Sequence, residues 1–223
     1  MMRIRSLFDI VGPVMIGPSS SHTAGAARLG ALARAVLGGT PCTAQIALHG
    51  SFATTGLGHG TDRALVAGLL GFAPDDERLP RALDLAKEAG LDVTFTREDL
   101  GEVHPNTARI DMTDENGREF VVQGSSLGGG DVLVTLINDF PVEVSGELPV
   151  LVVVHHDQPG VVAAVTARLA ADAINIASMQ VARERRGARA LMLIETDGPV
   201  PGDIADSLAA IEGVTEVRRV PKV

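Results

Sequence analysis

From Val150 to the C-terminus the chain alternates strand and helix signals six times, and that order constrains the fold more than any other feature. "VLVVVHH" (Val150 to His156) is continuous and β-branched, as a buried strand requires. "PGVVAAVTARLAADA" puts Pro159 at a first helical position and then repeats apolar residues with a helical period. "INIASMQVAR" alternates from Ile174, and "RALMLIET" makes a third strand across the charged turn "ERRGA". "PGDIADSLAAIEG" is a second helix that stops at Gly213, and "VTEVRRV" is a last strand. The order βαββαβ predicts a ferredoxin-like, split-βαβ sheet.

The longer first part reads as mixed α/β. A helix is expected from about Thr23 to Leu37, ended by Gly38. "AQIALHG" is a strand, "DRALVAGLLGF" and "LPRALDLAKEAG" are helices, and "LDVTFT" is another strand. "TARIDMTDENGREFVVQG" predicts a hairpin turning at Asn116-Gly117, with "DVLVTLIND" as one more strand. "NDFPVEVSGELP" (Asn138 to Pro149) holds two prolines and Gly146 and reads as a linker. The expected division is a first domain over 1–140, a linker over 141–149 and a second domain over 150–223.

Composition narrows the chemistry. Of 223 residues 45% are apolar, with six Phe and neither Trp nor Tyr, so the core must be built from Ala, Val, Leu and Ile. A formal charge of −9 argues against a nucleic-acid partner, which calls for a basic face. No apolar run reaches the roughly 18 residues that span a bilayer, so no membrane association is expected. The opening "MMRIRSLFDIVG" has no long apolar stretch or small-residue cleavage site, so it does not read as a signal peptide. Cys42 is the only cysteine, which forbids an intrachain disulfide and fits a reducing cytoplasm. It reads as a small apolar packing residue.

Four polar clusters sit at the ends of elements in the first domain, where loops present chemistry. "GPSSSHT" (Gly17 to Thr23) and "GHGTD" (Gly58 to Asp62) each precede a helix, "HPNT" (His104 to Thr107) precedes a strand, and "GSSLGGGD" (Gly124 to Asp131) joins two strands. A helix N-terminus offers free N–H groups and a positive dipole end, which suits a small anionic ligand. Ser19, Ser20, Ser21 and Thr23 add hydroxyls, and His22, His59 and His104 can each move a proton near neutral pH.

Plainer readings stand beside these. Ser20 or Ser21 could be an ordinary N-cap, and Thr61 or Asp62 could cap the helix after "GHGTD". His104 could simply be an extended residue before Pro105. "GSSLGGGD" could be a flexible connection, and it lacks the Gly-Lys-Ser/Thr ending of a phosphate-binding loop, which excludes nucleotide binding on that ground. Adjacent Ser21 and His22 do not face each other as nucleophile and base must, and no G-x-S-x-G elbow is present. The histidine spacing makes no zinc site, so no metal held by this chain is expected.

Together "GPSSSHTAGAARLG", "GHGTDRALVAGLLG", "HPNTARI" and "SSLGGG" resemble the β chain of the two-chain, iron–sulfur-dependent bacterial L-serine dehydratase, or L-serine ammonia-lyase. The resemblance spans nearly the whole chain. It implies a serine dehydratase β domain, of a fold also found as an allosteric substrate-binding domain in some phosphoglycerate dehydrogenases. The last part resembles an ACT domain, a small amino-acid-sensing module. The implied reaction converts L-serine to pyruvate and ammonia by α,β-elimination at a [4Fe–4S] cluster. A cluster takes several thiolates, and this chain has one cysteine, so a separate α subunit is implied as its carrier.

The resemblance carries catalytic roles to His22, His59 and His104, with the identity of the base left open. It carries substrate contact to Ser19, Ser20, Ser21, Thr23 and Asn106. In the ACT part it implies effector binding at Asp157, Gly160 and Asn175, although Pro159-Gly160 is also a good helix start. An open edge strand invites a second copy, so a homodimer contact through this domain and an α/β heterotetramer are expected. The alternative is a module that senses serine or another amino acid without catalysis.

Overall fold

The computed structural model describes residues 14–223. The stretch read above for a signal peptide lies outside the described residues. Backbone contacts divide the described residues into two compact units, one running to residue 138 with 143–145 and one of residues 139–142 with 146–223.

The first unit opens on a π-helical turn, Ser20–Gly25, that runs into helix α1, Ala26–Leu37. Gly38, at φ 93°, ends α1 in the left-handed conformation expected of it. Strand β1, Thr43–Leu48, leads to two one-turn helices, α2 (Gly50–Thr54) and α3 (Gly56–His59), and then to α4, Thr61–Leu69. A 3-10 turn and α5, Ala82–Glu88, precede β2, Asp92–Arg97. Strands β3 (Thr107–Thr113), β4 (Glu119–Gly128) and β5 (Asp131–Ile137) follow, and β6 (Phe140–Val144) runs across the division between the units.

The six strands make one sheet in the order β2-β1-β3-β4-β5-β6. The β1–β2 pair is parallel, and β1–β3, β3–β4 and β4–β5 are antiparallel. Alternate residues of β3, Ala108, Ile110 and Met112, are buried, the mark of a sheet with one covered face. Helix α1 lies against β4 and β5 and packs closely along α4.

Three local expectations change. Phe140–Val144, inside the stretch read as a linker, is a strand. Phe140, Val142 and Val144 alternate inward and are buried, and that burial outweighs Pro141, which stands in the outermost strand of its sheet. The β3–β4 hairpin turns through Asp114–Arg118 rather than through Asn116-Gly117 alone. The Asp114 carboxylate accepts from the N–H groups of Asn116 and Arg118, and only Gly117 has a positive φ. Cys42 is exposed rather than packed; its backbone joins Thr113 and Asp92 at the entry to β1 while the thiol faces outward.

The second unit carries β7 (Val150–His156), α6 (Val161–Ala171), β8 (Ile176–Arg183), β9 (Arg189–Thr196), α7 (Gly202–Ala209) and β10 (Val214–Val220). The sheet order is β10-β7-β9-β8, all antiparallel, as a ferredoxin-like βαββαβ unit requires. Leu151, Val153, Met192 and Ile194 of the sheet pack on Val165 and Leu169 of α6 and Leu208 of α7. Helix α6 begins at Val161 with left-handed Gly160 as N-cap, so Pro159 precedes the helix instead of opening it.

Candidate active site

The hydroxyl-rich stretch is itself helical. Ser19 is the cap: extended at φ −143°, it accepts from the His22 N–H through its Oγ at 3.2 Å. Ser20, Ser21, His22 and Thr23 therefore lie on the first turn, not ahead of it. Ser20 and Ser21 are partly buried, and Thr23 is buried, its Oγ1 donating to the His59 carbonyl at 3.3 Å.

His22 is the centre of the cluster. Its Nε2 lies 3.2 Å from Ser51 Oγ and 3.1 Å from Thr55 Oγ1, and its Nδ1 lies 3.5 Å from Ser19 Oγ. The ring sits edge-on to Phe52 and 5.0 Å, centroid to centroid, from the ring of His59. Burial, and then the nearby His59, hold the His22 pKa below the usual histidine value, against the raising effect of a hydrogen bond to the Ser51 backbone.

His59 and His104 are held in opposite tautomers. His59 Nδ1 is 2.9 Å from the Thr55 carbonyl, which can only accept, so Nδ1 carries the proton and the neutral ring keeps a lone pair on Nε2. His104 Nδ1 accepts from the Asn106 N–H at 3.1 Å, so its neutral ring carries the proton on Nε2. Both side chains are exposed. His59 thus offers a lone pair on Nε2, and His104 offers an N–H there as a hydrogen-bond donor.

The "HPNT" segment joins the cluster through backbone. The Ser51 N–H donates to the Pro105 carbonyl at 2.7 Å, and Gly50, at φ 54°, lies so close that a Cβ there would stand 2.6 Å from that carbonyl oxygen. Asn106 reaches the Ser126 carbonyl through Nδ2 at 3.5 Å, and Thr107 Oγ1 meets Ser125 Oγ at 2.7 Å. "GSSLG" is the end of β4 rather than a loose connection. Only Gly129 and Gly130 stand between β4 and β5, and Gly128 to Gly130 all have positive φ. Ser126 packs against Gly25 of the π-helical turn.

The structure thus brings His22 and His59 into one cluster, with Ser19 and Thr23 at its edge and His104 and Asn106 tied to it through Ser51. Ser51, Thr55 and Phe52 were not singled out in the sequence. Their signal was the density of glycine, hydroxyl and imidazole along "HGSFATTGLGHGTD" as a whole.

The expected effector residues do not come together within one chain. Asp157 lies beyond the end of β7, its carboxylate held by the Gly187 N–H and Arg183. Those hydrogen bonds, the backbone one first, lower its pKa below the ordinary aspartate value. Asn175 precedes β8 and donates to Asp197, past the end of β9. Because α6 returns the chain to the starting end of β7, the two sit about 20 Å apart along the sheet at roughly 3.3 Å per residue. A cavity of about 280 Å³ at the Asn175 end is walled by residues that include Pro149, Val200 and Arg219, and by none of the three expected.

Comparison with known proteins places the chain. Residues 6–89 match the model of the serine dehydratase beta chain, and residues 150–213 match that of the ACT domain. The "Probable L-serine dehydratase, beta chain" of Bacillus subtilis is 46% identical over 98% of this chain and 99% of its own length. The chain belongs to the L-serine dehydratase beta-chain family. The "L-serine dehydratase, beta chain" of Peptoniphilus asaccharolyticus is 38% identical over 96% of this chain and 97% of its own length. The D-3-phosphoglycerate dehydrogenase of Synechocystis is 27% identical over 60% of this chain and 24% of its own length.

A [4Fe–4S] cluster does not fit the residues of this beta chain. The one thiol, Cys42, stands exposed at the entry to β1, and among the described residues no three His, Cys, Asp or Glu side chains are grouped to hold a metal. No helix among the described residues is long and apolar enough to cross a membrane.

Proposed function

We propose that this chain supplies the substrate-handling and proton-transfer groups of an L-serine dehydratase, converting L-serine to pyruvate and ammonia with a separate, cluster-bearing α chain. The observation that carries this reading is His59 against His22, with His104 on the segment whose Pro105 carbonyl holds Ser51 of the same cluster, the two exposed histidines being in opposite tautomers. A cluster held by the α chain would supply Lewis-acid chemistry at the substrate hydroxyl.

The steps left to this chain follow from its hydrogen bonds. Ser19 at the cap and Ser20 and Ser21 on the first helical turn, with Asn106, bind the carboxylate and ammonium of serine, while buried Thr23 ties the turn to the His59 carbonyl. His59 takes the Cα proton on Nε2, and the Thr55 carbonyl stabilises the imidazolium through Nδ1–H. His104 holds the substrate oxygen that leaves through a hydrogen bond from Nε2–H, its proton staying on the ring. His22, its pKa lowered, remains neutral near pH 7 and orients the hydroxyls around it. The aminoacrylate so formed rearranges and hydrolyses to pyruvate and ammonia.

The assembly in this reading is a heterotetramer in the cytoplasm, joined by a homodimer contact along the open edge of β8. Exposed Met179 and Val181 on that edge strand support the contact. Effector binding at Asp157, Gly160 and Asn175 then needs groups from two copies, since one chain holds them at opposite ends of its sheet.

The test is anaerobic pyruvate formation from L-serine, by this chain alone and then with the α chain. Activity only in the mixture is the expected result; no activity with an intact cluster present would overturn the reading. The partial likeness to phosphoglycerate dehydrogenases favours a second reading, a serine-sensing module without catalysis. His59→Ala and His104→Ala variants separate the two: loss of turnover with serine binding retained supports catalysis by this chain, and full activity in the assembly would overturn the catalytic roles of these histidines.

A further inference from the structure

We infer that Thr55 is a positioning residue that sets the tautomers of both clustered imidazoles, of His22 through its hydroxyl and of His59 through its carbonyl. The role in turnover rests on the function proposed above; the role in holding the rings does not.

Thr55 joins the two one-turn helices α2 and α3, and its backbone φ and ψ are −114° and −11°. Its Oγ1 lies 2.9 Å from the Ser51 carbonyl one turn back. That oxygen only accepts, so the single hydroxyl hydrogen of Thr55 is committed to it. The back-bond also locks the side-chain rotamer. Toward His22 Nε2, at 3.1 Å, the Thr55 hydroxyl can then act only as an acceptor. A lone pair on His22 Nε2 would face a lone pair of Thr55, so this arrangement favours the hydrogen on Nε2, shared with Ser51 Oγ at 3.2 Å. Ser51 Oγ in turn donates to Thr55 Oγ1 at 3.1 Å.

In this arrangement each hydrogen in the ring of contacts has one acceptor. His22 is left with its lone pair on Nδ1, facing Ser19 Oγ at the cap of the substrate turn. The Thr55 carbonyl independently fixes Nδ1–H on His59, 2.9 Å away. One residue therefore holds two neighbouring imidazoles in opposite tautomers. Thr54 makes a matched control: its Oγ1 donates one turn back to Gly50 in the same way, at 3.1 Å, and its side chain is exposed.

The experiment reads tautomers directly, by long-range nitrogen–proton correlation spectra of the ¹⁵N-labelled full chain above pH 7. The wild type should show His22 as the Nε2–H form and His59 as the Nδ1–H form. In Thr55→Val, His22 should become a mixture of tautomers while His59, held by backbone, keeps Nδ1–H. In the assembly with the α chain, Thr55→Val should lower kcat about tenfold or more and leave KM within about twofold. Thr55→Ser should restore both tautomer and rate, and Thr54→Val should leave both unchanged.

A wild-type His22 in the Nδ1–H form overturns the inference, and that spectrum needs no variant to fold. So does a folded Thr55→Val chain with the wild-type His22 tautomer. If the wild-type assembly makes no pyruvate, the proposed function fails, and the spectra still decide the role of Thr55.

Discussion

Gly25 and Ser126 meet without room for a methyl group between them: a Cβ on Gly25 would lie 2.0 Å from Ser126 Oγ and 2.7 Å from its Cβ. The π-helical turn that carries His22 can approach β4 only because residue 25 has no side chain. Gly25 has helical φ and ψ, so space and not backbone freedom demands glycine here.

Gly25→Ala is accordingly expected to destabilise the chain by about 1–3 kcal/mol, the usual cost of overpacking a filled site. Ser126 Oγ is buried without a hydrogen-bond partner among the described residues, so Ser126→Ala should be neutral or stabilising. Ser126→Gly should recover part of the loss in the Gly25→Ala background. Urea melts of the three variants beside wild type check this; a Gly25→Ala midpoint equal to wild type would contradict the close approach.

The α1–α4 contact depends on glycine in the same way. A Cβ on Gly30 would stand 2.2 Å from the Leu65 carbonyl oxygen, and one on Gly68 would stand 2.0 Å from that of Ala27. Helix propensity alone favours Gly68→Ala by about 1 kcal/mol. The clash is with backbone, which cannot swing aside, and overpacking costs about 1–3 kcal/mol. The net sign is expected to be destabilising. A higher melting temperature for Gly68→Ala would show that propensity wins.

His22 makes stability depend on pH. Its folded pKa is lowered below 6.5, so between that lowered value and 6.5 the unfolded chain binds more protons than the folded one. The contribution is fully present above pH 6.5, declines as pH falls toward the folded pKa, and levels off below it. Denaturant melts across this window should show the decline, and His22→Gln should remove that component. A His22 that titrates at or above 6.5 by NMR would reverse the prediction.

Exposed Cys42 should react with one equivalent of a thiol-specific reagent in the native chain, without denaturant and with melting unchanged. A thiol that reacts only after unfolding would restore the packing role first expected of it.

Val181→Lys places a charge on the exposed face of β8, where Val181 is 49% exposed. It should shift the chain from dimer to monomer in light scattering while leaving melting within about 0.5 kcal/mol, as at other exposed sites. An unchanged mass would remove β8 from the proposed interface.

The ACT part was legible because each of its elements carries a local periodic signal: the continuous Val150–His156 strand, the helical spacing from Val161, the stop at Gly213. In the first unit the same signals located α1, α4 and β1 to β5. They passed over α2 and α3, since a single turn is too short to repeat a period, and they passed over β6, where two prolines outweighed the alternation of Phe140, Val142 and Val144.

By itself the sequence determined which chemistry was present: imidazoles and hydroxyls gathered at element ends, one cysteine, and motifs specific enough to point to a family. Only the tertiary structure decided which of these groups meet. His22, Ser51, Thr55 and His59 touch because α2 and α3 fold back under the π-helical turn, while Asp157 and Asn175 part because α6 reverses the chain. Composition and periodicity are properties of neighbouring residues; a tautomer held by a hydroxyl 33 positions away is a property of the path the chain takes.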